Sequence, residues 1–316
     1  MAEAGAPPVP AAAAEVAAGL SRPLPELPPK FFYDERGSHL FEEITRLPEY
    51  YLTRTERALL ERWMPEWMRA AAPRTVVELG AGSGEKTKIL LEAVLGVSGN
   101  AAYVPVDVSA DFLAGAAAAI AAEYPALRVE PVVADISAPF DLPSGLPRPA
   151  LHAFLGSTIG NFAPPAAVRL LGGVRRRMGA EDRFLMGVDL RKDPAVVEAA
   201  YNDAAGVTAA FNLNMLRVVN TVAGTDFDPE GWEHRAFYDP DAHRIEMRLI
   251  ARRAQAVRVP GRGRFRFAAG EEIRTEISAK HDRASVEAMF SAAELALERW
   301  ETDREGLYAL ALARPA

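Results

Sequence analysis

A glycine-rich turn between a short apolar segment and a helical pattern is the part of this sequence best suited to bind a ligand. Residues 75–86 read TVVELGAGSGEK, in which Val76 and Val77 predict a buried strand and a helical pattern begins after Gly84. Glycines permit a tight turn and let a ligand lie against bare backbone, and the helix N-terminus adds unpaired N–H groups. Strand, turn and helix together predict the first half of a nucleotide-binding crossover.

Two acids stand at the ends of the next predicted strands. Asp107 ends a strand predicted at 102–107, and Asp135 follows one predicted at 128–134. In nucleotide-binding folds an acid at the end of the second strand accepts hydrogen bonds from ribose hydroxyls, and Asp107 is the candidate for that role. A lone Asp is more often a helix cap or a turn residue, so the prediction depends on three strand ends in register.

The glycine spacing separates two kinds of nucleotide site. Dinucleotide folds typically carry G-x-G-x-x-G, whereas Gly80, Gly82 and Gly84 form G-x-G-x-G with Glu78 two residues before the first glycine. This pattern is similar to the first motif of S-adenosylmethionine-dependent methyltransferases, where the turn faces the amino acid end of the cofactor. The same resemblance implies that Asp135 lies near the adenine.

Composition excludes several other classes of protein. The 316 residues carry a net charge of −7 and no basic run, so we expect no nucleic acid partner. There are no cysteines and the five histidines are scattered, so we expect no metal site. No apolar run approaches a membrane span, and the first twenty residues do not resemble a signal peptide. We therefore expect a cytoplasmic protein without a membrane partner, and a monomer.

The order of the predicted elements indicates an α/β fold. Strands alternate with helices from residue 75 to residue 190, which predicts a parallel sheet with helices on both faces. Residues 283–314 read as a helix and two strands that would complete the sheet with an antiparallel last pair. The fold class is thus a class I methyltransferase, Rossmann-like sheet accompanied by a second, α+β substrate-binding domain.

Changes in composition and periodicity predict the domain boundaries. Residues 1–29 are rich in Ala and Pro and are interpreted as a flexible leader. Residues 30–72 would form the helical part of the substrate domain. Residues 73–191 with 281–316 would form the Rossmann-like domain. Short alternating apolar segments within 192–280 predict antiparallel strands, inserted as the second part of the substrate domain.

Five longer motifs lie outside the glycine turn. They are FYDERGS at 32–38, LPEYY at 47–51, GSTIGN at 156–161, YNDAAGVTAAFN at 201–212 and IRTEISAK at 273–280. Together they resemble the histidine-specific Nα-methyltransferases of ergothioneine biosynthesis, over about residues 30–312. The resemblance implies trimethylation of the α-amine of L-histidine to hercynine, with S-adenosylmethionine as cosubstrate and no metal. Fungal relatives in this family act on tryptophan-type amines.

The resemblance also implies roles for individual residues on the cofactor side. These residues are Gly80, Gly82, Lys86, Asp107, Asp135, Ile136 and Gly156. Where the family leads us to expect an aromatic residue after the last acid, this chain has Ile136. An aliphatic side chain can still cover an adenine.

Seven residues would form the substrate side. The resemblance implies that Asn161 and Tyr201 clamp the α-carboxylate and that Tyr33 and Tyr50 are catalytic residues beside the α-amine. It also implies that Glu276 and Ser278 bind the imidazole and that Met247 lines the ring pocket. A zwitterion that carries an imidazole needs these kinds of group. Alternatively, the tyrosines are interface aromatics, Asn161 is a turn residue, and the polar pair is the solvated face of a strand.

Three other functions stay open from the sequence. They are methylation of another amino acid such as tryptophan, a catalytically silent cofactor-binding protein, and an NAD oxidoreductase. Glu276 argues against an apolar indole pocket, because an unpaired buried carboxylate is costly. The glycine spacing argues against a dinucleotide.

Overall fold

The structure is a computed structural model that describes residues 11–81, 85–108 and 110–316. Gly82, predicted to bind the cofactor, lies outside the described residues. The chain divides into two compact units. We call Leu52–Lys192 with Ser278–Ala316 the sheet unit, and Met1–Tyr51 with Asp193–Ile277 the insertion unit.

The helices of the described residues are α1 Ala11–Leu20, α2 Glu35–Arg46, α3 Tyr51–Ala71, α4 Glu85–Ser98, α5 Ala110–Glu123, α6 Pro164–Arg177, α7 Pro194–Tyr201, α8 Val207–Ala223 and α9 Arg283–Ala292. The strands are β1 Thr75–Leu79, β2 Ala101–Asp107, β3 Leu127–Val129, β4 Val132–Val133, β5 Ala150–Phe154, β6 Arg183–Asp189, β7 Trp232–Asp239, β8 Arg244–Ala251, β9 Gln255–Val259, β10 Gly263–Phe267, β11 Glu272–Ala279, β12 Leu295–Thr302 and β13 Tyr308–Pro315. Among the described residues no helix is both long and apolar enough to cross a membrane.

The sheet unit is built on one eight-stranded sheet. Its strand order is β12-β13-β6-β5-β1-β2-β3, with β4 also paired to β2. Strands β6, β5, β1 and β2 run parallel, and β13 is antiparallel to both β6 and β12. This confirms the predicted α/β, class I Rossmann-like sheet with its antiparallel last pair.

The third predicted strand, at 128–134, is instead two short strands, β3 and β4. Pro131 lies between them and has no N–H to donate to a sheet ladder, which explains the interruption.

The central strands are buried on both faces, as the near-continuous apolar runs of a parallel sheet require. Every residue of β1 and β5 is buried. Val77, Phe154 and Phe184 lie in one apolar core together with residues of α6 and α9. This core fixes the positions of the strand ends, where the candidate ligand-binding residues lie.

The insertion unit contains two antiparallel pairs, β7 with β8 and β9 with β10. Strand β11 joins β8 to give a three-stranded sheet of order β11-β8-β7. The alternating segments of the sequence therefore form strands, as predicted. Helices α1 and α2 both contact α8.

Residues 11–29 differ from the predicted flexible leader. They contain α1, in which Val16 and Leu20 are buried, and Leu27 is 1% exposed. The backbone N–H of Leu27 donates to the Arg274 carbonyl at 2.9 Å. Small alanines complete an apolar stripe at i, i+3, i+4 and i+7 on α1, which the Ala- and Pro-rich composition concealed. Residues 1–10 lie outside the described residues.

The boundary between the units also differs from the predicted one. The sequence predicts that residues 52–72 belong to the substrate domain, but they group with the sheet unit, which begins at Leu52. A polar contact explains this grouping, because Glu56 of α3 accepts hydrogen bonds from Gly156 and Tyr308 of the sheet unit.

Candidate active site

The carboxyl ends of β1, β2 and β5 meet at one edge of the sheet because these strands are parallel neighbours. Gly80 follows β1 with φ +66°, Asp107 ends β2, and Gly156 follows β5 with φ +76°. The chain order reverses at β1, which lies between β5 and β2. Open α/β sheets bind ligands outside the strand ends at such a switch point. The structure thus places Gly80, Asp107 and Gly156 at neighbouring strand ends, and their contact with a cofactor stays a prediction.

Glu78, the acid of the glycine motif, turns out to be a buried structural residue. Its side chain accepts hydrogen bonds from the hydroxyls of Thr87 and Tyr103, each at 2.7 Å, and is 3% exposed. Burial raises the pKa of Glu78 to about 7, against the opposing effect of these two hydrogen bonds and of the Lys86 charge. Glu78 therefore ties β1 to β2 and α4 and fixes the start of the helix that carries Lys86.

Glu56 is a residue of this site that the sequence analysis missed. Its fully buried carboxylate accepts the Gly156 N–H at 2.8 and 3.0 Å and the Tyr308 hydroxyl at 2.7 Å, and it forms an ion pair with Lys86. Lys86 is close to Gly156, since a Cβ added at Gly156 would lie 3.5 Å from Nζ of Lys86. One carboxylate thus holds two of the predicted cofactor residues together.

A glycine inside β6 makes room for this carboxylate. A Cβ added to Gly187 would overlap Glu56 Oε1 and lie 2.6 Å from the Tyr308 hydroxyl. Glycine within a strand often marks such a close approach. The sequence offered this one signal for Glu56, a glycine in an otherwise apolar strand.

Asp135 and Ile136 lie next to the end of β2. The Ala134 N–H donates to the Asp107 carbonyl at 2.9 Å, which brings the following residues beside Asp107. Asp135 is exposed and accepts from the Ser137 N–H at 2.8 Å and hydroxyl at 2.6 Å. Ile136 is partly buried against the core of the sheet unit. Their placement beside the adenine stays a prediction.

Three predicted substrate tyrosines form one aromatic cluster in the insertion unit. Phe41 contacts Tyr33 and Tyr50, with ring centroids 5.9 and 6.4 Å apart, and Tyr50 contacts Tyr201 at 6.3 Å. Tyr50 and Tyr201 are buried, whereas Tyr33 is 43% exposed. The cluster brings together residues from three separate motifs of the sequence.

Hydrogen bonds and close backbone packing in the motif at 32–38 fix the backbone next to Tyr33. Asp34 caps α2 by accepting the Gly37 N–H at 2.7 Å, and it also accepts from the Asn214 amide at 2.8 Å. A Cβ at Gly37 would overlap the Phe32 carbonyl oxygen. The glycine lets the backbone pass close to Phe32, and the cap sets the direction of the chain at Tyr33.

The motif at 201–212 fixes Tyr201 in a similar way. The Tyr201 carbonyl lies 2.8 Å from Nε2 of His234, so this nitrogen is the donor, and Nδ1 of His234 accepts from Asn212 at 2.9 Å. Burial lowers the pKa of His234, which agrees with a neutral ring. Asp203 accepts the N–H groups of Val207 and Thr208, both at 2.8 Å, at the start of α8.

Asn161 and Ser278 both lie in the sheet unit. Asn161 ends the 3-10 helix Thr158–Asn161, directly after β5. A Cβ at Gly160 would lie 2.7 Å from the Ala279 carbonyl oxygen, so this turn packs closely against the end of β11. Ser278 is 3% exposed.

Met247 and Glu276 lie in the insertion unit, on β8 and β11. Met247 is buried with Ile245 and Leu249, which alternation places on the same apolar face of β8. Glu276 is half-buried and lies two residues beyond Arg274, whose guanidinium bonds Glu246 at 3.2 Å on the polar face of β8. Met247 therefore has a core environment, and its position in a ring pocket stays a prediction.

The strand order and the acid at the end of β2 are those of the fold of S-adenosylmethionine-dependent methyltransferases. The chain resembles the solved structure of such an enzyme from Clostridium acetobutylicum with a TM-score of 0.51 at 12% identity, over 88% of this chain and 98% of that one. Among the described residues no cluster of three or more His, Asp and Glu side chains could hold a metal ion.

Within that class, the chain belongs to the histidine-specific, S-adenosylmethionine-dependent methyltransferase family, which it matches over residues 12–315. This confirms the resemblance found in the motifs. This chain is 45% identical over 300 residues to histidine N-alpha-methyltransferase of Mycolicibacterium smegmatis, and the match covers 95% of this chain and 93% of the relative. It is 31% identical to ergothioneine biosynthesis protein 1 of Neurospora crassa, over 92% of this chain and 33% of the relative.

Replacing Gly187 tests the packing around Glu56. We expect Gly187→Ala to lower the free energy of unfolding by about 3 kcal/mol, because the new methyl group displaces a buried carboxylate from its partners. Gly115→Ala is the control, since it adds a methyl group in α5 with nothing within 4 Å. That change should stabilise by about 0.5–1 kcal/mol. Denaturant unfolding measures both, and equal stability of the two variants would contradict the close packing.

The raised pKa of Glu78 predicts a pH-dependent effect of Glu78→Gln, which keeps an acceptor for Thr87 and Tyr103. Between the ordinary value of 4.5 and about 7, the folded protein keeps a proton that the unfolded chain releases, so wild-type stability falls as pH rises. A glutamine does not titrate, so the stability of the Glu78→Gln variant does not fall with rising pH for this reason. Relative to wild type it should gain up to about 3 kcal/mol between pH 4.5 and pH 8. A difference that stays constant in denaturant unfolding across this range would show that Glu78 is ionised throughout.

Proposed function

We propose that this protein transfers three methyl groups from S-adenosylmethionine to the α-amine of L-histidine and so forms hercynine in ergothioneine biosynthesis. The family match and the names of its relatives support the substrate class. The observation that carries the proposal is the aromatic cluster of Tyr33, Tyr50 and Tyr201. Residues more than 150 positions apart in the sequence meet there, as a binding surface for one small molecule requires.

The residues at the carboxyl edge of the sheet fit S-adenosylmethionine. Gly80 leaves open space where a side chain would be, so a ligand can lie against its backbone. The Asp107 carboxylate would accept from the ribose hydroxyls, and Lys86 would pair with the cofactor's carboxylate. Gly82 and Gly156 would line the same ligand, with Asp135 and Ile136 at its adenine. When bound, S-adenosylmethionine supplies a methyl group activated by a positively charged sulfur.

The histidine zwitterion would be held at three points. Asn161 and Tyr201 clamp the carboxylate, Tyr33 and Tyr50 surround the amine, and Glu276 and Ser278 bind the imidazole, with Met247 against the ring. Tyr50 and Tyr201 are buried, so their side chains would be rigid and would exclude water from the amine. Polar groups built for these contacts would be left unpaired by a ligand that lacks a carboxylate or a second ring nitrogen.

The chemistry is a displacement at carbon. In each transfer an N–C bond forms, the S–C bond breaks and its electron pair stays on sulfur. The attacking amine must be neutral, so three transfers starting from the ammonium form release three protons. Tyr33 and Tyr50 are assigned to orient the amine and to pass each proton to water, and the half-exposed Tyr33 is the one with access to solvent.

Small molecules are the proposed partners. The net charge of −7 opposes binding to a nucleic acid backbone. We further propose a cytoplasmic monomer, with size-exclusion chromatography as the test of oligomeric state.

A panel of amino acids tests the reaction. The protein is incubated with S-adenosylmethionine and each of the twenty amino acids, and the products are identified by mass spectrometry. Histidine alone should gain three methyl groups, and histamine should react at most weakly, because the carboxylate clamp is left unpaired. Preferential methylation of tryptophan, or of no amino acid, would overturn the proposed function.

Replacing Asp107 tests the cofactor side of the site. Asp107→Ala should weaken cofactor binding by about 2–4 kcal/mol in calorimetry.

Replacing Glu276 tests the choice of ring. We expect Glu276→Ala to lower kcat/KM for histidine by about 100-fold or more, because the ring N–H loses its charged acceptor. Combined with Met247→Val, which enlarges the proposed pocket, it should gain activity with tryptophan. Glu233→Ala, a change of an exposed glutamate on β7, is the control and should leave both values unchanged. An unaltered histidine value in the folded Glu276→Ala variant would remove Glu276 from the site.

A further inference from the structure

The chain ahead of the first motif covers one edge of β11. The Arg274 N–H donates to the Pro25 carbonyl at 2.8 Å, and the Leu27 N–H donates to the Arg274 carbonyl at 2.9 Å. Glu26 and Arg274 thereby form a parallel β-bridge. We call residues 25–28 the covering segment. Because β11 is the end strand of its sheet, this segment pairs with an edge that would be exposed without it.

Two carboxylates from different elements hold the side chain of Arg274. Its guanidinium forms an ion pair with Glu26 of the covering segment and a second one, at 3.2 Å, with Glu246 of β8. Glu246 is 2% exposed, and the side chains of Arg274 and Glu26 are partly buried. Charges withdrawn from water in this way interact more strongly than a surface pair. The two ion pairs therefore restrict the side chain of Arg274 and tie β11 to the covering segment.

The end of α1 holds the covering segment in turn. The Glu26 N–H donates to the Gly19 carbonyl at 3.1 Å, and a Cβ added to Gly19 would lie 2.3 Å from the Glu26 carbonyl oxygen. The glycine therefore permits a backbone approach that a side chain would prevent. Val16 and Leu20 are buried on α1, which packs against α8. The covering segment is thus attached to a packed helix.

The covering segment ends level with the residue assigned to the imidazole. Glu276 lies two residues beyond Arg274 on the same strand, so the two side chains share one face of β11. Continued by two residues, the register of the β-bridge brings Pro28 level with Glu276. Proline has no N–H to donate, and the 3-10 helix Pro29–Phe32 begins directly after Pro28. The pairing thus holds the strand immediately before the proposed ring acceptor.

The same stretch of chain leads to the residue assigned to the α-amine. Tyr33 directly follows the 3-10 helix, and Phe32 stacks on Phe211 of α8 with ring centroids 4.5 Å apart. Tyr33 also contacts the Phe211 ring, at 5.8 Å. Residues 26–33 are therefore held at one end by Arg274 and at the other by Phe211. This stretch connects the amine side of the proposed site with the strand of its ring side.

We propose that Glu26 is a positioning residue, which holds β11 through Arg274 and so places Glu276 against the imidazole ring of the substrate. The inference rests on the proposed function, in which Glu276 binds the imidazole. It gives the N-terminal part of the chain a role in substrate binding. The residues proposed to bind the cofactor all belong to the sheet unit, so cofactor binding should not depend on Glu26.

Steady-state kinetics of Glu26→Ala test the proposal. KM for histidine should rise about fivefold or more, because Arg274 loses an ion pair that restricts it. The affinity for S-adenosylhomocysteine, the demethylated cofactor, should keep its wild-type value in calorimetry. A loss of folded protein alone would lower kcat and leave KM unchanged. Glu15→Ala is the matched control, because it removes the 2.7 Å ion pair with Lys30 from the same part of the chain, and it should leave KM unchanged.

A double-mutant cycle then assigns the effect to Glu276. If Glu26 acts through Glu276, adding Glu26→Ala to Glu276→Ala should lower kcat/KM for histidine by less than about twofold. A full additional loss in the double variant would show that Glu26 acts elsewhere and would overturn the inference. An unchanged KM in the folded Glu26→Ala variant would overturn it as well.

Thermal unfolding checks the fold of each variant. If Glu26→Ala does not fold, Arg274→Met takes its place, since it removes the same ion pair from the other side and should raise KM by a similar factor. A wild-type KM in that folded variant would equally contradict the inference. Failure of this inference alone leaves Glu276→Ala impaired and Glu26→Ala unaffected. An unimpaired Glu276→Ala variant, or a wild-type enzyme that does not methylate histidine, would defeat the proposed function and this inference with it.

Discussion

The buried carboxylate of Glu56 is the interaction on which the cofactor-side edge of the sheet depends. A carboxylate without water is costly, so each of its oxygens needs partners. Here the Gly156 N–H, the Tyr308 hydroxyl and the Lys86 ammonium supply them. These groups come from the loop after β5, from β13 and from α4, and Glu56 itself comes from α3. Removing any partner leaves a charge partly unpaired, so Glu56 links α4 and the loop after β5 to the last strand, β13.

Buried titratable groups make stability depend on pH in two opposite ways. Burial lowers the pKa of His152 to about 3 and that of His281 to about 4, helped by neighbouring arginines and, for His281, by Lys280. Below about pH 6.5 the unfolded chain binds protons at these two residues that the folded protein does not, so acid destabilises the fold. Glu78 acts in the other direction between pH 4.5 and about 7, because its folded pKa is raised. Because the two histidines outnumber the one glutamate, the combined effect of these three residues is to lower the free energy of unfolding as pH falls.

Sequence reasoning succeeded where the signal was periodic or covalently local. The apolar runs of β1 and β5 and the alternation of β11 predicted the strands, and the glycine turn predicted the class of cofactor. Partnerships between residues far apart in the chain could not be predicted, because a single sequence does not record which elements meet. Glu56 is one example, because its partners Gly156 and Tyr308 lie 100 and 252 residues further along the chain. In the same way α1 was hidden by alanines, whose apolar face matters only once α8 covers it.

The spacing of the proposed imidazole-binding pair is the part of the proposed site that depends least on long-range assembly. Glu276 and Ser278 are two residues apart on β11, so strand geometry alone sets their Cα atoms about 6.6 Å apart on one face. What the strand cannot set is which of the two donates. Lys280, two residues further along, donates to the Ser278 hydroxyl oxygen, so this oxygen already accepts one hydrogen bond within the sheet unit. The ring selection that we propose would therefore combine a spacing set by the strand with contacts from residues elsewhere in the chain, as Asp189 of β6 pairs with Lys280.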